Sequence, residues 1–138
     1  MQYLRLIARL IGLSQIILGL LYFAWPLGFI AWQGLTPVAA DTGYPLAMLA
    51  ARFLVYGVGM FAVASDPARH AFWLFGMVAI QLIDLAAGAA YVATGVVAWQ
   101  HALVPMVNAT LFAAVLGGLG LAVLRPNTRS AIRRRRAA

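Results

Sequence analysis

Four apolar segments, each long enough to cross a lipid bilayer, leave this chain few ways to fold. They cover residues 4–30, 46–64, 71–97 and 103–124. A hydrocarbon core near 30 Å thick takes about 20 helical residues. None of the four alternates apolar with polar residues as barrel strands must. Backbone groups in lipid have to be bonded within each segment, which leaves the helix. The expected fold is therefore all-α: an integral membrane four-helix bundle, up-down and antiparallel. It forms a single domain over residues 1–138, with a basic tail at 125–138. Composition points the same way, at 64% hydrophobic and only 9% charged. Soluble domains carry about 25% charged residues, so lipid has to cover most of this surface.

The prolines punctuate these segments. Pro45 precedes the second and Pro67 lies in the turn "SDPARH" after it; Pro105 is expected in the first turn of the fourth, and Pro126 follows its end. Pro26, in "YFAWPLGFIAW", either ends the first helix near Trp25 or kinks it on the way to Trp32. "VAA" at 38–40 mimics a signal-peptide cleavage site, but the preceding apolar region far exceeds the usual 7–15 residues. It reads as a retained helix.

Orientation follows from the arginines, which make up all ten basic residues. Arg5 and Arg9 flank the first span, Arg69 lies in the second loop, and Arg125, Arg129 and Arg133, Arg134, Arg135 and Arg136 follow the fourth. Four spans put all these positions on one side, which the positive-inside rule makes cytoplasmic, with both termini there. The expected location is the bacterial inner (cytoplasmic) membrane, multi-pass. The tail arginines read as contacts to anionic lipid head groups in preference to nucleic acid. Trp25, Trp32, Tyr44 and Trp99 would mark the outer boundary, and Tyr3 and Trp73 the inner one.

The tenth arginine, Arg52, falls inside the second span, and Asp84 is the only acidic residue within a span. The turn between spans two and three is short enough to force an antiparallel hairpin. Counted from that turn, Arg52 and Asp84 both lie about 21–23 Å away at 1.5 Å per residue, so they share a depth near mid-bilayer. An isolated charge there costs at least about 2.5–3.5 kcal/mol. A bidentate pair inside the bundle offsets most of that cost. Gln15 and Asn108 supply one amide each on the first and fourth spans, at comparable depth. Tyr56, Gln81 and Tyr91 share helix faces with the charged pair. For Gln15, Gln81 and Asn108 singly, interhelical bonding is the simpler role. For Arg52 with Asp84 a ligand or pathway role is favoured, because ionisable groups inside a span usually mark one. Small residues in "YGVG" at 56–59, "AAGAA" at 86–90 and "LGGLGLA" at 116–122 would let helices approach closely.

The chain contains no cysteine, which removes disulfides, thiolate metal sites and thiol redox chemistry. His70 and His101 sit at span ends, away from mid-membrane haem ligation. No metal-ligand spacing, phosphate loop or catalytic triad is present, and a non-catalytic role fits better than an enzyme. No cofactor is predicted; a quinone or a lipid is the class of ligand left open.

At "ARFLVYGVG" and "QLIDLAAG" the chain resembles the DoxX-like and BphX-like groups, small four-span bacterial membrane proteins. The resemblance rests on an arginine in span two, an acidic residue in span three and neighbouring glycines. It implies a membrane accessory subunit, in some members tied to quinone-linked redox complexes, and supplies no catalytic residues. Three functions follow as expectations. The first is a non-catalytic accessory or binding subunit of a larger inner-membrane complex, with other membrane subunits or a second copy as partner. The second is a small ion, proton or solute transporter using the Arg52–Asp84 pair. The third is a quinone-binding subunit with its head group near Arg52, Tyr56 and Gln81.

Overall fold

A computed structural model describes residues 2–36 and 39–124. The six tail arginines, Arg125, Arg129 and Arg133 to Arg136, lie outside the described residues, as does their expected contact with lipid. The described chain is helical, in the order α1 (Gln2–Ala24), α2 (Pro26–Trp32), α3 (Gly43–Ser65), α4 (Ala71–Ala93) and α5 (Trp99–Leu124), with a 3-10 turn at Ala40–Thr42 before α3. Four of these helices, α1, α3, α4 and α5, are long and apolar enough to cross a membrane.

The boundaries differ from the sequence reading in four places. The second segment starts earlier, at Gly43, so Pro45 lies in the first turn of α3 and does not precede it. The first apolar segment is two helices. Trp25 leaves the helical region (φ −145°, ψ 52°) and Pro26 opens α2 at a first-turn position, where its missing N–H costs no bond. The third segment stops at Ala93, short of residue 97. Gly95 (φ 73°) takes the left-handed conformation, its N–H bonds Val92 O at 3.0 Å, and the Val96 N–H bonds Tyr91 O at 3.0 Å. That is a complete Schellman stop, which apolar character alone does not reveal. Gly34 (φ 78°) ends α2 with the same pair of bonds, to Ala31 O and Ile30 O. The fourth segment starts earlier, at Trp99, so Pro105 lies inside α5 and not in its first turn.

The long helices alternate in direction, and the turn at 66–70 is held by Asp66. Its Oδ1 accepts from the backbone N–H groups of Ala68 (3.1 Å) and Arg69 (3.2 Å). Packing divides the helices into two close pairs, α1 with α3 and α4 with α5, while α3 meets α4 and α1 meets α5 more sparingly. The closest approach joins α1 and α3. A Cβ added at Gly12 would stand 2.9 Å from Gly57 O, and one at Gly57 would stand 3.0 Å from Gly12 O. Two glycines therefore let these backbones touch. "YGVG" at 56–59 supplies one of them; Gly12 had no place in the sequence reading. In "AAGAA" Gly88 meets only the Met106 side chain, and in the 116–122 stretch Gly118 faces open space.

The packed core lies toward the end that carries the 66–70 turn, here the hairpin end. Leu4, Ala8, Ile11, Met60, Val63, Leu74, Met77 and Leu116 are each at most 3% exposed and form one cluster drawn from all four long helices. Trp73 joins its edge, edge-to-face with the Tyr56 ring at 5.3 Å. It is a packing residue, not part of an exposed aromatic belt. Trp25, Trp32, Tyr44 and Trp99 do stand exposed, all at the opposite, aromatic end.

Candidate functional site

Toward the aromatic end the two helix pairs diverge, and a cavity of about 700 Å³ opens between them. This volume falls within the range of small-molecule sites, about 300–1,000 Å³. Its deepest polar residues are Gln15 from α1, Gln81 and Asp84 from α4, and Asn108 from α5. Gln15 and Gln81 are 4% and 5% exposed. Gln81 Nε2 donates to Met77 Sδ one turn earlier, at 3.3 Å. Tyr91, two turns beyond Asp84 along α4, also lines the space. Five of the seven residues singled out in the sequence are thus gathered around one cavity. Tyr56 is not among them: it turns toward the hairpin end, with its hydroxyl over Gly76 and its ring on Trp73.

Arg52 reaches Asp84 from α3 in a fork-to-fork pair, Nη1 to Oδ1 at 3.2 Å and Nη2 to Oδ2 at 3.1 Å. The guanidinium also lies over the Phe53 ring, 5.1 Å from its centre. The expectation of a pair enclosed within the bundle requires correction. The Arg52 and Asp84 side chains are 34% and 38% exposed. Because α3 and α4 pack sparingly, the pair bridges an open seam. Asp84 lines the cavity, whereas Arg52 is not among its lining residues. Arg52 is nine residues from the start of α3 and Asp84 nine from the end of α4. Both therefore lie about 13–14 Å below the aromatic ends of their helices.

The roof of the cavity escapes a reading of separate spans, because it is built by the turn back at Pro26. Tyr22 stacks on Phe53 (5.5 Å, 4° between planes) and meets Phe29 of α2 edge-on at 4.9 Å; Phe29 in turn stacks on Trp32 at 5.7 Å. Gln33 Nε2 lies 3.5 Å from the Tyr22 hydroxyl. Gly34 packs on the His101 imidazole, which a Cβ there would meet at 2.8 Å. The aromatic run "YFAWPLGF" was the available signal, but only the end of α1 at Trp25 turns it into a lid. Leu35, Val97 and Gln100 line the cavity between this lid and the start of α5.

The cavity therefore has an apolar, aromatic upper wall, an amide-rich floor and one carboxylate already neutralised by an arginine. Such a surface can bind and orient a molecule. Among the described residues, no three side chains of metal-ligating type converge. Comparison with family models, with curated proteins and with solved structures finds no match to the chain.

Proposed function

We propose that this protein is a non-catalytic membrane subunit that holds a small amphiphilic molecule between its two helix pairs, as an accessory part of a larger inner-membrane complex. The observation that carries this reading is the Arg52–Asp84 pair at one side of a 700 Å³ cavity whose floor is made of buried amides. Four apolar helices support insertion in the bilayer. With Arg5, Arg9 and Arg69 at the hairpin end, the positive-inside rule makes that end and both termini cytoplasmic. The partial exposure of Arg52 supports a partner: a cation not fully enclosed at this depth is costly, and a neighbouring helix covering the seam removes that cost. The DoxX-like resemblance adds the kind of complex, a quinone-linked one. A quinone or lipid is then the bound molecule, seated away from Tyr56.

A transporter using the same pair needs a water path from one side to the other. The hairpin-end cluster of Leu4, Met60, Leu74 and Leu116, each at most 1% exposed, gives that reading no support. The direct test is gentle extraction from native membranes followed by mass spectrometry of proteins and lipids. Wild-type protein should bring down a membrane partner and a stoichiometric small molecule, and Asp84→Asn should lose at least one of them. An isolated, empty chain in both preparations would refute the reading.

A further inference from the structure

The floor of the cavity has no net charge and much unused hydrogen-bonding capacity. Gln15, at 4% exposed, has no hydrogen-bond partner for its amide among the described residues, yet no side-chain nitrogen or oxygen is both fully occluded and unpaired. The open side of the Gln15 amide is the cavity it lines. Gln81 commits one N–H to a thioether, a weak acceptor, and keeps its carbonyl oxygen free. Each Asp84 oxygen accepts one guanidinium N–H. A carboxylate has about four lone-pair sites, so room for another donor remains. Arg52 has already balanced the Asp84 charge. A charged head group entering here would bring an ion without a counter-ion into a poorly solvated site. An uncharged group that both donates and accepts would satisfy the amides and the carboxylate together.

We infer that the ligand is an uncharged, hydroxyl-bearing amphiphile. Its O–H donates to Asp84, its oxygen accepts an amide N–H from Gln15 or Gln81, and its apolar body lies along Leu18, Tyr22, Phe29 and Phe53. The inference rests on the binding reading above and narrows it to one head-group chemistry. A free alcohol and a bilayer lipid with a neutral hydroxyl head share that chemistry.

The test uses the full chain in phosphatidylcholine nanodiscs, with 10-bromodecan-1-ol quenching the fluorescence of Trp32 at the cavity wall; Trp32→Phe subtracts the other tryptophans. Decanol, decanoate and decylammonium then compete for the site with one tail and three head charges. Decanol should compete at least tenfold better than either ion. Gln15→Leu and Gln81→Leu should each weaken decanol about tenfold, with the thermal midpoint retained. Dioleoylglycerol placed in the disc either displaces the bromoalcohol, assigning a bilayer source, or does not, assigning a free one; both support the hydroxyl head. Competition by decanoate or decylammonium equal to that of decanol would overturn the head-group assignment while leaving a binding site. Unchanged decanol competition in both glutamine variants would overturn it as well. Saturable quenching by none of the probes would remove the binding reading itself.

Discussion

Arg52 and Asp84 bond through two parallel contacts near 3.1 Å, with more than a third of the carboxylate side chain still exposed. Removing one partner of a fully buried pair costs about 3–5 kcal/mol, whereas exposed pairs contribute at most about 1. Asp84→Asn should therefore cost about 1–3 kcal/mol in equilibrium unfolding from mixed micelles. Arg52→Gln added to Asp84→Asn should cost less than the two single changes summed, and strict additivity in that cycle would deny the coupling. At this scale the sequence was informative because charge is scarce: one arginine and one aspartate within spans, equally far from a short turn, have few other partners. Gln15, Gln81 and Asn108 were legible for the same reason. Tyr56 shares a helix face with Arg52, yet lies one turn nearer the core, packs on Trp73 and does not line the cavity. Gln33 was missed because only the turn at Pro26 brings it to the cavity, and Tyr22 on α1 and His101 on α5 because they lie near span ends, away from the mid-span polar layer.

Helix ends and helix crossings depend on single glycines here. Gly95→Ala should destabilise by about 1 kcal/mol, since its φ of 73° is unfavourable for any residue with a Cβ. Gly34→Ala should cost more, because the new methyl also meets the His101 ring at 2.8 Å. At the α1–α3 crossing, Gly12→Ala drives a methyl against backbone and should cost about 1–3 kcal/mol. Gly118→Ala faces open space and should be neutral, or stabilising by up to about 1 kcal/mol. Chemical unfolding of the four variants ranks them, and equal effects at residues 12 and 118 would contradict the close crossing. Hydropathy located the spans because burial in lipid is a bulk property. It blurred their ends because Val96 and Val97 are as apolar as the helix they follow. The "TG" before them was the readable stop signal.

The absence of cysteine from the whole sequence permits a clean test of its orientation. Ala68 lies in the 66–70 turn and Ala98 just before α5, and both are exposed. With a membrane-impermeant maleimide, Ala98→Cys should label in cells with an intact inner membrane, and Ala68→Cys only after lysis. The reverse pattern would invert the topology. How the four spans pair was not legible, because each is apolar on nearly every side; the glycine contacts and the side chains facing them decide it. The cavity between those pairs lies on the far side of the Leu4, Met60, Leu74 and Leu116 cluster from the hairpin end. A molecule held there would meet close-packed side chains in the direction of the hairpin end, so any exchange would have to run through the looser half of the bundle.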